Sequence, residues 1–170
     1  MQTYPVAHID IAALKHNLNQ VKGFAPDSKV MSVIKANAYG HGDIQVAFAL
    51  IESDAFAVAR LSEGIQLRQA GIKKNIVLLE GVHNMEQLQL AAENNLSPVF
   101  HNQSQIDLLS VTELITPLKF CWLMIETGMH RLGISKAGLA VALKTLMNSH
   151  KINGEIGVMT HFANADKPND

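Results

Sequence analysis

The sequence has little of what marks several large classes of protein. It contains one cysteine, and its 14 lysines and arginines are balanced by 15 acidic residues, for a net charge of −1. One cysteine cannot form a disulfide within the chain, and the absence of a basic patch argues against a nucleic-acid partner. No uninterrupted apolar run is long enough to cross a bilayer. What remains is an ordinary globular composition for one domain, 48% hydrophobic and 17% charged.

Two further absences concern location and metals. The N-terminal residues, MQTYPVAHID, lack the basic region and apolar core of a secretory signal, so we expect a cytoplasmic protein. The eight histidines include no HxxxH pair, and one cysteine cannot make a CxxC pair, so no metal site is assigned. Cys121 lies in an apolar run beside Trp122, which favours a buried, inert thiol.

Short apolar runs alternate with helical patterns along the chain. Asp10, Asn84 and Asn102 each precede a stripe of apolar residues at helical spacing, as N-caps do. Asp43, after the glycine turn, is likewise expected to cap the next helix. Strand and helix repeat at about thirty residues per unit, which predicts a parallel sheet with right-handed crossovers. No stretch has the composition of a linker, so residues 1–170 are expected to form one domain. The runs that predict strands are 6–9, 29–34, 55–59, 76–79, 97–100, 120–125 and 156–159.

The stretch VMSVIKANAYGHG, residues 30–42, carries the first candidate site. Its β-branched apolar run predicts a fully buried strand, and Lys35 stands at the carboxyl end of that strand. Parallel α/β folds gather their chemistry there, and burial favours the neutral amine, which can attack a carbonyl and form a Schiff base. Gly40 and Gly42 allow a sharp turn into the next helix. A strand-to-helix turn whose lysine reaches solvent explains the same spacing equally well.

Two more candidate residues follow predicted strands. Arg131, in ETGMHRLG, offers a planar charged fork for an anionic oxygen, although a surface arginine fits the pattern equally. His161, in MTHFANAD, follows an apolar strand, where a hydrogen-bonded core histidine is the commoner arrangement. Periodicity does not distinguish a doubly wound sheet from a barrel, but chemical residues after three separate strands favour a barrel mouth. A complete barrel needs about 250 residues, so the chain holds about six of its eight units.

The three strings together resemble one known family. KANAYGHG resembles the pyridoxal-phosphate attachment motif of the alanine racemase family, whose members have fold type III. ETGMHRLG and MTHFANAD are similar to the family's TGM-x-RLG and THFA-x-AD segments. The resemblance implies an N-terminal β/α barrel, a C-terminal β domain and a homodimer that shares its sites. It ends before the last two barrel strands and the β domain, so we expect residues 1–170 to be a truncated (β/α)8 barrel.

The resemblance also implies a role for each candidate residue. The lysine is both the attachment point of pyridoxal 5′-phosphate and one of two catalytic bases. The arginine contacts the cofactor's phenolic oxygen and the substrate carboxylate, and the tyrosine hydroxyl is held on the phosphate. The histidine packs on the pyridine ring, and the leucine lines the same cavity. The lysine is Lys35, the arginine is Arg131, the tyrosine is Tyr39, the histidine is His161 and the leucine is Leu79.

Some of the implied machinery is not in this sequence. Many family members carry a carbamylated lysine that bonds to the loop arginine, but here the position is Met124, so Arg131 loses an orienting partner. The second base is a tyrosine from the partner subunit's C-terminal domain, and the arginine that holds the pyridine nitrogen lies on a later strand. We therefore expect this chain alone to be inactive.

The implied function is interconversion of L-alanine and D-alanine, which supplies D-alanine for peptidoglycan. The reaction proceeds through an aldimine with the cofactor and proton transfer by two bases. Racemases that act on serine or on many amino acids share the KANAYGHG motif and are one alternative. A barrel that binds pyridoxal phosphate without catalysis is another, but such homeostasis proteins lack TGM-x-RLG and THFA-x-AD.

Overall fold

The computed structural model describes residues 6–167, in which six strands form one sheet. Each strand pairs in parallel with the next strand along the chain, so spatial order equals sequence order. The strands are β1 Met31–Val33, β2 Ala55–Val58, β3 Asn75–Leu78, β4 Ser97–Phe100, β5 Leu118–Met124 and β6 Ile152–Met159. Within residues 6–167, β1 and β6 do not pair with each other. The molecule is therefore an incomplete TIM-type barrel, as predicted, with six strands where the sequence predicted seven.

Seven helical segments accompany the strands in the part of the chain that the structure describes. Three predicted N-caps are confirmed, because Asp10, Asn84 and Asn102 each accept backbone N–H groups at the start of a helix. The segments are α1 Ile11–Phe24, α2 Lys35–Tyr39, α3 Asp43–Ala49, α4 Leu61–Gln69, α5 Met85–Glu93, α6 Gln103–Val111 and α7 Lys136–Met147. None of the helices between residues 6 and 167 has the length and hydropathy needed to traverse a bilayer.

One predicted strand is absent. Residues 6–9 are irregular, and Val6 is 74% exposed, so the prediction of a strand there is wrong. A short apolar run forms a strand only where a neighbouring strand pairs with its backbone. Within the described chain β1 pairs only with β2, so residues 6–9 have no strand partner. The other predicted runs each overlap an observed strand.

The sheet has two apolar faces of different size. The outer face packs on the helices and contains Phe56 and Val58, whereas Ala57 between them belongs to a separate inner cluster. This alternation is the period of two that a strand imposes on its side chains. The inner cluster, which fills the barrel side of the sheet, consists of Met31, Ala57, Val77, Leu79, Val99, Trp122, Met124 and Met159.

Arg68, on α4, holds together two loops at the amino ends of the strands. Its Nη1 donates to the carbonyl oxygens of Ile72 and Lys74, both at 2.7 Å. Its Nε and Nη2 donate to the carbonyls of Asn94 at 2.9 Å and Asn95 at 2.7 Å. One planar guanidinium thus satisfies four carbonyls that precede β3 and β4.

We expect Arg68→Lys to lower the free energy of unfolding by about 2–3 kcal/mol. Lysine keeps the charge but cannot reach both loops, and a hydrogen bond to a charged group contributes about 1.5–3 kcal/mol. Urea unfolding followed by circular dichroism measures the change. The matched control is Arg60→Lys, whose side chain is 75% exposed, with an expected change within about 0.5 kcal/mol. Equal losses in the two variants would contradict this role of Arg68.

Candidate active site

Lys35 lies at the carboxyl end of β1, where a left-handed turn begins. Ile34, which precedes it, is buried and donates its N–H to the carbonyl of Ala57 at 2.8 Å, so the strand holds the lysine backbone. The Lys35 side chain is half-buried and makes no hydrogen bond or ion pair with the other residues that the structure describes. Its amine is therefore free to bind a ligand at the rim of the barrel.

The four residues after Lys35 are left-handed. Ala36, Asn37, Ala38 and Tyr39 have φ angles of 53°, 56°, 52° and 55°. Each left-handed residue other than glycine costs roughly 1–2 kcal/mol, so this turn stores strain beside the candidate lysine. The sequence predicted a sharp turn from Gly40 and Gly42 but gave no signal for the four residues before them.

Hydrogen bonds from neighbouring side chains hold the left-handed turn. Asn37 Oδ1 accepts the N–H of Asp43 at 3.0 Å, and His41 Nδ1 lies 2.9 Å from the carbonyl oxygen of Ala38. Asp43, expected as the N-cap of α3, is instead its first residue, and Gly42 is the cap. The correction follows from the buried Asp43 carboxylate, which accepts the N–H of Ile44 rather than one two or three residues on.

Arg131 and His161 line one cleft at the opposite edge of the sheet. The cleft also contains Met124, Thr127 and Leu132. Arg131 follows β5 and His161 follows β6, and both side chains are exposed. The guanidinium of Arg131 and the imidazole of His161 form no hydrogen bond or ion pair with any described residue, so both can take an anionic or aromatic ligand.

The Arg131 loop is shaped by one carboxylate and one glycine. Glu126 accepts the N–H groups of His130 at 3.0 Å and Gly128 at 2.5 Å, and these bonds lower the pKa of its carboxyl. Gly133, with φ +126°, is tight against this segment, because a Cβ there would lie 2.5 Å from the Glu126 nitrogen. A larger residue at 133 would push the loop away from β5.

Two threonines connect the Arg131 loop to the end of β6. The hydroxyl oxygens of Thr127 and Thr160 are 2.5 Å apart, and Thr160 also donates to the carbonyl of Ile125 at 3.2 Å. Thr160 immediately precedes His161, so the pair couples the position of that histidine to the arginine loop. The motif strings contained both threonines, but sequence reasoning gave neither a role.

His101 also supports the site, and sequence reasoning missed it. It is buried at the carboxyl end of β4, its Nε2 lies 3.0 Å from the carbonyl oxygen of Glu80, and its own carbonyl accepts the N–H of Gly133 at 3.1 Å. The available signal was a histidine directly after a strand and before the N-cap Asn102, the same kind of position that His161 occupies. His101 thereby anchors the far end of the Arg131 loop.

Leu79 and Met124 belong to the inner apolar cluster near the carboxyl ends of β3 and β5. Met124 is only 9% exposed and lines the same cleft as Arg131, so it contributes apolar surface to that cleft. Tyr39, in contrast, is 61% exposed and lines an outer groove with Val33 and His41. The structure thus groups Arg131 with His161 and does not bring Tyr39 into their cleft.

The comparisons with known proteins agree with this architecture. The sequence model of the alanine racemase N-terminal domain matches residues 9–170. The chain belongs to the alanine racemase family. It is similar to the alanine racemase of Nitrosococcus oceani, with 46% identity over 98% of this chain and 47% of that protein. It is also similar to the alanine racemase of Shewanella piezotolerans, with 41% identity over 100% of this chain and 47% of that protein.

Solved structures of amino-acid racemases superpose well on this barrel. The biosynthetic alanine racemase of Pseudomonas aeruginosa gives a TM-score of 0.89 at 36% identity, over 95% of this chain and 45% of that one. A histidine racemase from Leuconostoc mesenteroides gives a TM-score of 0.80 at 30% identity, over 94% of this chain and 44% of that one. The chain spans about half the length of the curated relatives it matches.

We expect Thr160→Val to loosen the Arg131 loop. The variant keeps the side-chain shape but removes both hydrogen bonds of the hydroxyl, each of which contributes about 0.5–1.5 kcal/mol. Amide exchange of a peptide covering residues 127–133, measured by mass spectrometry, should accelerate about fivefold or more. Thr145→Val, which removes a hydroxyl bonded to the Val141 carbonyl within α7, is the control. If both variants leave the loop's exchange unchanged, Thr160 does not hold it.

Proposed function

We propose that the chain is the N-terminal barrel of a pyridoxal-phosphate-dependent amino-acid racemase, with alanine as its substrate. The observation that carries the proposal is Lys35, on a strained turn at a barrel rim that also bears Arg131 and His161, with an amine that pairs with none of residues 6–167. Active sites of TIM-type barrels lie at this rim, and backbone strain collects at functional positions. The relatives named alanine racemase support the choice of substrate.

The residues at the rim fit the cofactor's chemistry. A phosphorylated aromatic aldehyde needs an amine to bond its carbonyl carbon, donors for its anionic oxygens and apolar surface for its ring. Lys35 supplies the amine, Arg131 the cationic donor, His161 a flat ring and Leu79 apolar surface, and Tyr39 is proposed as a phosphate ligand. To bind the phosphate, the Tyr39 side chain must rotate away from the outer groove, where its ring is exposed.

When bound, pyridoxal phosphate stabilises negative charge at the amino acid's Cα. The proposed part of this chain in the reaction is to hold and move one proton. Lys35 Nζ removes the Cα proton on its own face and returns it, and Arg131 orients the substrate through its carboxylate. The second base on the opposite face is assigned to a tyrosine of a partner subunit, outside this chain. A homodimer of the whole protein is therefore part of the proposal.

Two alternatives concern the substrate and the class. The histidine racemase among the structural neighbours acts on another amino acid, so the serine and broad-specificity alternatives stay open for this chain. A non-catalytic cofactor-binding barrel is disfavoured by the Arg131 loop and the His161 segment, which present a cation and a flat ring at the same cleft. The cytoplasmic location stays a prediction.

The first test concerns the attachment residue. Protein incubated with pyridoxal phosphate and then borohydride should carry a reduced adduct on Lys35, located by peptide mass spectrometry. Lys35→Ala should abolish the adduct, and Lys136→Ala, which removes an exposed lysine at the start of α7, should leave it unchanged. An adduct found mainly on Lys22 or Lys136 would refute the assignment of Lys35.

The second test concerns proton transfer. Because one base serves one face, the cofactor-loaded chain in deuterated water should exchange the Cα hydrogen of one alanine enantiomer without inverting it. A missing base lowers a rate by roughly two to four orders of magnitude, so racemisation should be slower than exchange by about that factor. Proton NMR measures exchange, and chiral chromatography measures inversion. Fast racemisation by this chain alone would require a second base within residues 1–170 and would overturn the assignment.

A further inference from the structure

Glu63 joins the turn that carries Lys35 to the loop after β2. Its Oε1 accepts the N–H of Ala36 at 2.6 Å. Its Oε2 accepts the N–H groups of Ala59 at 2.8 Å and Arg60 at 2.9 Å. Because Ala36 follows Lys35 directly and is the first left-handed residue, the Ala36 contact fixes where the turn begins.

The same helix position carries glutamine in the next two helices. Gln87 of α5 and Gln105 of α6 each use Oε1 to accept the N–H of the residue before the N-cap, His83 and His101, both at 2.9 Å. Glu63 makes this contact with Ala59 through Oε2. The three side chains therefore share one local task at the start of a helix, which is to satisfy a free backbone donor.

The second atom of the group distinguishes Glu63 from the two glutamines. At α6, the amide Nε2 of Gln105 donates to the carbonyl of Glu80 at 3.1 Å, so a donor is needed there. At α4, the corresponding atom faces the N–H of Ala36, so an acceptor is needed. A glutamine at 63 would point its amide NH₂ group at a backbone N–H donor, either that of Ala36 or those of Ala59 and Arg60. Only a carboxylate accepts on both sides, and its charge also suits the N-terminus of α4.

We propose that Glu63 is a positioning residue for Lys35. It acts through the amide of Ala36 and holds the left-handed turn in register with β2, so that the lysine amine stays directed at the rim. The role of Glu63 in directing the Lys35 amine rests on the function proposed above. The hydrogen bond between Glu63 and Ala36 is a property of the fold and can be tested alone. Nothing in the geometry requires Glu63 to touch a cofactor or substrate.

Amide hydrogen exchange followed by NMR tests the contact in the whole chain without a cofactor. In the unmodified protein the Ala36 amide should be protected, although Ala36 itself is exposed. In Glu63→Gln its exchange should be about 10- to 100-fold faster, the range expected for one charge-assisted hydrogen bond. Gln87→Ala is the matched control: it should free the His83 amide and leave Ala36 unchanged. An unprotected Ala36 in the unmodified protein, or equal rates in the two variants, would overturn the proposal.

Labelling of Lys35 by pyridoxal phosphate and borohydride tests the consequence. The fraction of Lys35 labelled at a fixed cofactor concentration should fall about tenfold in Glu63→Gln, because an amine without a fixed direction loses the advantage of proximity. Gln87→Ala should label like the unmodified protein, although it too loses a helix cap. Equal labelling in the two variants would show that Glu63 does not position the lysine.

Two measures keep the outcomes separate. If the unmodified chain gives no Lys35 adduct, the proposed function fails, while the exchange experiment still decides the Ala36 contact. If Glu63→Gln does not fold by circular dichroism, Glu63→Asp replaces it. Aspartate keeps the charge but is one methylene shorter, so it should lose the reach to Ala36, and unchanged Ala36 exchange in that variant would equally overturn the proposal.

Discussion

Parallel pairing of the strands in chain order is the constraint on which the rest of this structure depends. Since every strand runs in the same direction, all carboxyl ends lie along one rim. Lys35 follows β1, Leu79 follows β3, Arg131 follows β5 and His161 follows β6, so residues far apart in sequence share that rim. The same pairing separates a small inner apolar cluster from the outer core against the helices.

The rim is built differently at its two edges. At the β1 edge, Lys35 stands before four left-handed residues, and the strain of that turn is opposed by hydrogen bonds from Asn37, His41 and Glu63. At the other edge, formed by β5 and β6, the Arg131 loop folds on its own carboxylate, Glu126, and is anchored by Thr160 and His101. The lysine is thus fixed by backbone geometry, whereas the arginine depends on a loop and its attachments.

Met124 makes the inner surface beside the Arg131 loop apolar. An apolar side chain at this inner position packs with the barrel cluster and leaves the guanidinium without a partner among the described residues. A polar residue there would instead orient the guanidinium at the expense of desolvation. The arrangement favours an arginine that is ordered by the anion it binds rather than beforehand.

The sequence alone determined the parallel α/β class, the positions of the six strands that form and three helix caps, because buried apolar runs and capping side chains act locally. It also named Lys35, Arg131 and His161, since each follows a strand in a recognisable string. The prediction of a strand at residues 6–9 was wrong because a strand needs a neighbouring strand to pair with, and local sequence does not reveal whether one is present. Only the tertiary structure decided the left-handed turn and the role of Glu63. Ala36 and Glu63 lie on separate elements, and their hydrogen bond exists only because β1 pairs with β2 and brings the following turn and helix together.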